Sequence, residues 1–216
     1  MTSGPRFFLP AALAIAVFTG ASARADIVYT NFGPGDTFNT SQGWTISGSA
    51  SSVGDSYSQG DQFTASSTVA LSQLDLGLVS IQGTPRINLS LYSTAVNGQL
   101  GTLLETFSNV GPIGSSYSII SASSSLHPIL TAGQSYWLIA SPVDSGSWLA
   151  WGLNSTGATA SHYFNNNGSP VYSTATPAAY RVIGQAVPEP ASLALCGLGI
   201  AGIAGFLRLR RRACPA

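Results

Sequence analysis

The stretch VALSQLDLGLVSIQGTPRINLSLY, residues 69–92, indicates the fold class most clearly. Its first part has apolar residues at alternate positions in two sets: Val69 and Leu71, then Leu74, Leu76 and Leu78. Successive side chains of a strand point to opposite faces, so this pattern predicts a long strand with one buried face. The slip between the two sets predicts a β-bulge, because one extra residue there restores the alternation.

The second part of the stretch predicts another strand after a turn at residues 83–85. Its apolar positions are Ile87, Leu89 and Leu91. The residues between them, Asn88 and Ser90, are polar, so the strand is expected to be half-buried with one wet face. Asn97-Gly98 then predicts a tight turn between two strands.

The run YWLIA, residues 136–140, predicts a central strand that is buried on both faces. Elsewhere between residues 26 and 187, short alternating runs lie between clusters of Gly, Pro, Asn and Ser, and no long helical stripe of apolar residues occurs. This organisation predicts an all-β domain with about ten to twelve short strands, folded as a jelly-roll-like two-sheet sandwich.

Composition excludes some classes of partner. The chain has 216 residues, of which 7% are charged, and it has no lysine. Seven acidic and two basic residues lie between 26 and 187, which gives this part a net charge of −5. Nucleic acid is therefore not an expected partner, because binding phosphates requires clustered cations. A hydrophobic content of 44% is enough to build a core, so full disorder is not expected.

The N-terminus has the features of a secretory signal peptide. Arg6 precedes an apolar segment at residues 7–18, and Ala23-Arg24-Ala25 provides a small-residue cleavage site. We therefore assign residues 1–25 to a signal peptide and residues 26–187 to an exported domain. An uncleaved N-terminal anchor is the alternative, although the apolar segment is short for a membrane span.

The C-terminal segment, residues 188–212, predicts one transmembrane helix. Pro188-Glu189-Pro190 precedes an apolar run at residues 191–207, which as a helix would be about 26 Å long. Prolines are tolerated at a helix start. The run is followed by four arginines: Arg208, Arg210, Arg211 and Arg212. These arginines set the topology, because basic flanks remain on the cytoplasmic side.

The C-terminal segment resembles the PEP-CTERM sorting signal of Gram-negative bacteria, also called the ice-binding protein C-terminal domain. The match consists of residues 187–192, the glycine-rich apolar helix and the arginines that follow it. The resemblance implies recognition by an exosortase, a membrane protease-transpeptidase that acts near Pro188-Glu189-Pro190. It also implies a link to exopolysaccharide production. The ice-binding label belongs to the tail and is no evidence of ice binding.

The exported part resembles the choice-anchor domains of bacterial surface proteins, of the R type. The matching segments are residues 61–64, 87–92 and 130–138, and the likeness would span about residues 50–185. The resemblance implies surface display and carries over no catalytic residues.

The sequence offers little for catalysis, and no catalytic residue, metal site or cofactor is predicted. The chain has two histidines, His127 and His162, which we expect at the surface or in loops. No Gly-x-Ser-x-Gly elbow accompanies them.

Asp55 and Asp61 could contribute oxygen ligands to Ca²⁺, but two acids make an incomplete ligand shell and a solvated turn is favoured. The exported part has no cysteine and thus no disulfide.

Aromatic residues suggest a second function, binding of carbohydrate. Trp148, Trp151, Tyr163 and Tyr172 could stack on sugar rings. Residues i and i+3 of a strand point to opposite faces, so one of the two tryptophans is expected in the core.

We therefore expect a non-enzymatic, exported protein of the cell surface or extracellular matrix. Its predicted partners are an exosortase, the inner membrane and exopolysaccharide. It would be anchored transiently in the inner membrane and then released outward. The alternative functions are a carbohydrate-binding module for extracellular polysaccharide and, third, an enzyme such as a glycan hydrolase.

Overall fold

A computed structural model describes residues 25–187, and this part of the chain is all-β, as predicted. A short 3₁₀ turn, Pro34–Asp36, is its sole helical element. The strands are β1 (Ala25–Thr30), β2 (Asn39–Ser47), β3 (Tyr57–Thr64), β4 (Val69–Gln82), β5 (Ile87–Thr94), β6 (Leu100–Val110), β7 (Ser118–Ser123), β8 (Ile129–Leu130), β9 (Ser135–Pro142), β10 (Trp148–Leu153), β11 (Ala160–Asn166), β12 (Ser169–Ala175) and β13 (Tyr180–Ala186).

Two predicted elements fall beyond this part of the chain. The signal peptide at residues 1–25 lies outside the described residues except for Ala25, which begins β1. The transmembrane helix at residues 191–207 lies outside them entirely. Within residues 25–187, no helix has the length and apolar character needed to cross a membrane.

All thirteen strands pair antiparallel in one continuous, curled sheet. One half runs β1-β13-β4-β10-β2, with β7 and β8 along the other edge of β4. The second half runs β12-β11-β3-β9-β5-β6. A single residue pair between β2 and β3, Ser47 with Tyr57, joins the halves, so the strand pairing is continuous where the sequence predicted two sheets.

The longest strand, β4, confirms the alternation and its slip. Leu71 and Leu74 are both fully buried, although residues i and i+3 of a regular strand would point to opposite faces. The register against β13 shifts between Leu71 and Gln73, which leaves Ser72 as the extra residue of a bulge. The Ser72 hydroxyl donates a hydrogen bond of 3.0 Å to the carbonyl of Ile183 in β13. The bulge thus lets one strand bury leucines on both sides of the slip.

Strands β5 and β9 also match their predictions. The alternate residues Ile87, Leu89 and Leu91 of β5 are fully buried. Strand β9 lies between β3 and β5, and its residues 136–140 are all buried, as expected for a strand covered on both faces. The tight turn at Asn97-Gly98 joins β5 to β6.

Aromatic side chains bring the two halves of the sheet into contact. Phe63 of β3 lies with its ring centroid 6.1 Å from that of Tyr180 of β13 and 5.5 Å from that of Tyr29 of β1. Trp151 of β10 is 5.7 Å from Tyr180, and its indole N–H donates to the carbonyl of Ala179 at 2.9 Å. The sheet therefore curls so that the apolar faces of its halves enclose one core.

Truncation of a core leucine in β4 should destabilise the protein. Leu76→Ala is expected to lower the free energy of unfolding by about 2–5 kcal/mol, because the side chain is fully buried and its removal leaves a cavity. Ile81→Ala is the matched control in the same strand, since Ile81 is 48% exposed, and its expected cost is below about 1 kcal/mol. Chemical denaturation followed by tryptophan fluorescence measures both. Equal losses would contradict this orientation of β4.

Candidate functional site

A second apolar cluster lies on the outer face of the second half of the sheet. Its buried members are Trp137 and Ile139 of β9 and Tyr163 of β11. The residues packed against them are Tyr92, Leu100 and Tyr172. Ile139 lies directly over Gly60 of β3, where a Cβ atom would collide with its side chain. An outer sheet face usually carries polar residues, so this aromatic cluster requires an explanation.

Three aromatic rings of the cluster contact one another edge to face. The centroid of Tyr172 lies 5.6 Å from that of Trp137 at an interplanar angle of 73°. It lies 5.5 Å from that of Tyr163 at 68°. Both arrangements are favourable for aromatic pairs. Tyr172 belongs to β12 at the edge of the sheet and is half-buried, so it is the ring that remains accessible from solvent.

The turn between β5 and β6 folds over this cluster and is held by hydrogen bonds. The Gly98 carbonyl accepts from the Trp137 indole N–H at 3.2 Å, and the backbone N–H of Leu100 donates to the Tyr172 hydroxyl at 3.4 Å. Gly98 has a φ of 81°, a conformation that favours glycine. The Asn97 side-chain oxygen accepts from the backbone N–H of Gln99 at 3.1 Å. The turn is therefore fixed relative to the aromatic rings.

A cleft of about 360 Å³ opens between this turn and the β11–β12 hairpin. Trp137 and Gly98 contribute to its wall. Its other lining residues are Asn97, Gln99, Ser161, Tyr172, Ser173 and Thr174. None of these side chains is charged. The cleft thus combines aromatic surface with hydroxyl and amide groups, a lining that suits a neutral polar ligand. We refer to it as the turn–hairpin cleft.

Beneath the outer cluster, on the inner face of the same strands, lies a buried polar network. Nδ1 of His162 in β11 is 2.8 Å from Oδ1 of Asp61 in β3, and its Nε2 is 3.1 Å from Oε1 of Gln59. The other Asp61 oxygen accepts from the backbone N–H of Ala178 at 2.8 Å. The indole ring of Trp44 stacks on the imidazole with centroids 4.2 Å apart. The network joins β2, β3 and β11 to the segment before β13.

The network corrects the prediction for His162, which was expected at the surface or in a loop. His162 is 2% exposed because the register places it opposite Asp61, which supplies the buried partner that it needs. Burial raises the pKa of Asp61, and the hydrogen bond from His162 partly offsets that effect. His127, in contrast, lies in an exposed loop as predicted.

The structure separates the predicted sugar-stacking residues. Trp151 is fully buried in the core between the two halves, so it cannot stack on a sugar in this fold. Trp148 lies on β10 in the first half of the sheet, away from the turn–hairpin cleft. Tyr163 is buried and supports Tyr172, which lines the cleft.

Sequence reasoning missed the role of Trp137 and of the polar residues of the cleft. Trp137 and Ile139 alternate with Tyr136 and Leu138, so a signal existed: the run 136–140 has a second apolar face. Ser161 and Thr174 carried no such signal, because only the pairing of β11 with β12 places them opposite each other.

Asp55 and Asp61, the two acids considered as Ca²⁺ ligands, make separate sets of hydrogen bonds in the structure. Asp55 accepts hydrogen bonds from the Asn167 amide at 2.7 Å and the Tyr57 hydroxyl at 3.1 Å, whereas both Asp61 oxygens are engaged in the buried network. Across the described part of the chain, no group of three or more His, Cys, Asp or Glu residues is placed to hold a metal ion.

A second buried acid, Glu105 of β6, fastens the loop after β7. Its carboxylate accepts hydrogen bonds from the Ser124 hydroxyl at 2.6 Å and from the backbone N–H groups of Ser125 and Leu126 at 2.6 and 3.2 Å. Burial alone would raise the pKa of Glu105, but these donors outweigh it and hold the pKa below its usual value.

Comparison with protein families finds a match at the C-terminus. Residues 186–212 match the model of the PEP-CTERM protein-sorting motif. The match confirms the resemblance inferred from the sequence, and it implies an exported protein that is targeted by an exosortase. No curated protein matches the chain. The PEP-CTERM match begins at Ala186, the last residue of β13, so it covers almost none of the exported domain.

Breaking the buried network should strongly destabilise the domain. Asp61→Ala is expected to cost about 3–5 kcal/mol, because it leaves buried His162 without its charged or hydrogen-bonded partner. Asp55→Ala removes a carboxylate whose bond to Asn167 is exposed, so its expected cost is at most about 1 kcal/mol. Thermal unfolding of both variants measures the difference. A cost for Asp61→Ala no larger than that of the control would contradict a structural role for the network.

Glu105→Gln should destabilise the protein by about 1–3 kcal/mol at neutral pH, because an amide NH₂ would face groups that donate hydrogen bonds. The folded-state pKa of Glu105 is lowered, so its stabilisation is present above the ordinary carboxyl pKa of about 4.3 and is lost as the pH falls through the folded-state value. The gap between wild type and variant should therefore narrow in acid. Thermal unfolding at about pH 7, 4 and 2 measures it, with Asp26→Asn as an exposed control. A constant gap across this range would contradict the assignment.

Proposed function

We propose that this protein is a non-enzymatic component of the cell surface or extracellular matrix of a Gram-negative bacterium. A signal peptide at residues 1–25 takes it across the inner membrane. The helix at residues 191–207 then holds it there, with the arginines on the cytoplasmic side, until an exosortase cuts near Pro188-Glu189-Pro190. The observation that carries the proposal is the match of residues 186–212 to the PEP-CTERM motif.

We propose exopolysaccharide as the material with which the released domain associates. One support is the resemblance to PEP-CTERM signals, which implies a link to exopolysaccharide production. The other is the resemblance of about residues 50–185 to choice-anchor domains, which implies display at the surface. The domain carries a net charge of −5 with few ionic side chains, which is compatible with a hydrated extracellular polymer. In this proposal the two halves of the curled sheet face each other across the core as the layers of a jelly-roll-like sandwich.

The absence of enzymatic activity is part of the proposal, and the surroundings of His162 support it. Its ring nitrogens bond to a carboxylate and a side-chain amide, with no serine hydroxyl among their partners in residues 25–187. Both nitrogens are buried, so a substrate has no access to them. A general base needs contact with the proton that it removes.

Carbohydrate binding is the second candidate function, and the turn–hairpin cleft is the observation that favours it. In this view the exported domain is a module that holds extracellular polysaccharide rather than a passive matrix component. The two candidates share the same sorting route and differ in whether the domain itself recognises a sugar.

Changing Pro188, Glu189 and Pro190 to alanine should leave an unprocessed, membrane-bound chain in the native cells, because the sorting motif is removed while the apolar run and arginines remain. The measurement is the intact mass of the protein in the membrane fraction and outside the cells. The wild-type protein outside the cells should end near residues 187–190, and the variant should accumulate in the membrane.

Pro170→Ala is the control, because Pro170 is an exposed proline of edge strand β12 and lies outside the motif. It should leave processing unchanged. Normal release of the triple variant, or a wild-type mass that runs to Ala216 in the membrane fraction, would refute the sorting proposal and indicate a permanent anchor.

A further inference from the structure

We propose that the turn–hairpin cleft binds a short stretch of a neutral polysaccharide, with Tyr172 as the stacking surface and Gln99, Ser161 and Thr174 as hydrogen-bonding groups. This inference rests on the second candidate function, carbohydrate binding, and gives it a site and a class of ligand.

The chemistry of the lining selects an uncharged, hydroxyl-rich ligand. Sugar rings present C–H groups on their faces and hydroxyls around their edges, so they need an aromatic surface beside hydroxyl and amide groups. Tyr172 provides the first, and Asn97, Gln99, Ser161 and Thr174 provide the second. A uronate would need a cation and an amino sugar an anion, and the cleft lining contains neither.

The polar groups on the hairpin side are available to a ligand. Ser161 and Thr174 are cross-strand partners, and so are Tyr163 and Tyr172 two positions along, so these four residues share one face of the hairpin. Ser161 and Thr174 are exposed, and their hydroxyls make no hydrogen bond to any residue between 25 and 187. They can therefore bond to a sugar without losing an existing partner.

The cleft is held in shape before any ligand arrives. Its turn is fixed by the bond from Trp137 to the Gly98 carbonyl, and Tyr172 is fixed by edge-to-face contacts with Trp137 and Tyr163. A preformed site loses little conformational entropy when it binds. Its volume of about 360 Å³ is at the lower end of small-molecule sites, which fits a short segment of a polymer rather than a long groove.

The test uses the full chain in isothermal titration calorimetry with three neutral probes, the tetramers of glucose, galactose and mannose, and one anionic probe, tetragalacturonate. We expect at least one neutral tetramer to bind and the anionic one to bind more weakly. Thr174→Trp should reduce the affinity at least about tenfold, because an indole at this exposed position fills the cleft without disturbing the core. Gln99→Ala should weaken binding by a smaller factor.

Thr40→Trp is the matched control, since Thr40 is an exposed strand threonine outside the cleft, and it should bind as the wild type does. No binding of any neutral tetramer tighter than about 10 mM would overturn the inference. Stronger binding of tetragalacturonate would overturn the neutral class, and full binding by Thr174→Trp would overturn the site. Export and processing of these variants are measured separately by intact mass, so a failed sugar site leaves the sorting result intact.

Discussion

The carboxylate of Asp61 is the interaction on which the second half of the sheet depends. It is fully buried, and it accepts hydrogen bonds at 2.8 Å from both His162 and the backbone of Ala178. An ionisable group in such a place is costly unless its partners are complete. The need to satisfy it sets the register of β3 against β11 and draws the chain before β13 towards them. Asn31 acts nearby in a similar way, exchanging hydrogen bonds with Ala178 and Tyr180.

This constraint on the inner face has a consequence on the outer one. With His162 turned inward, its neighbour Tyr163 must face outward, where it packs with Trp137 and supports Tyr172. Strand β9 is thus buried on both faces over residues 136–140, and β11 is buried on both faces at His162 and Tyr163, which is unusual for an antiparallel sheet. The result is a rigid platform from which the β11–β12 hairpin and the β5–β6 turn define the turn–hairpin cleft.

Sorting of the protein and the proposed binding of sugar depend on different parts of the chain. The PEP-CTERM match at residues 186–212 concerns where the protein goes. The proposed recognition of a sugar depends on the cleft, which is lined by residues of β9, β11, β12 and the β5–β6 turn. The uncharged lining of the cleft is chemically consistent with the neutral polysaccharide proposed as its ligand.

Elements whose evidence is local could be predicted from the sequence. The strands could be predicted from the alternation at residues 69–78 and 87–91 and from the apolar run at 136–140. The bulge at Ser72 could be predicted because the alternation is interrupted between Leu71 and Leu74. The sorting motif is equally local, since it is a linear signal. The pairing of strands was needed to show that His162 is buried, that Trp151 belongs to the core and that Thr174 lies opposite Ser161 across a hairpin. These facts depend on which strands pair and in what register, and side chains far apart in the chain set that register, so no short stretch of sequence contains it.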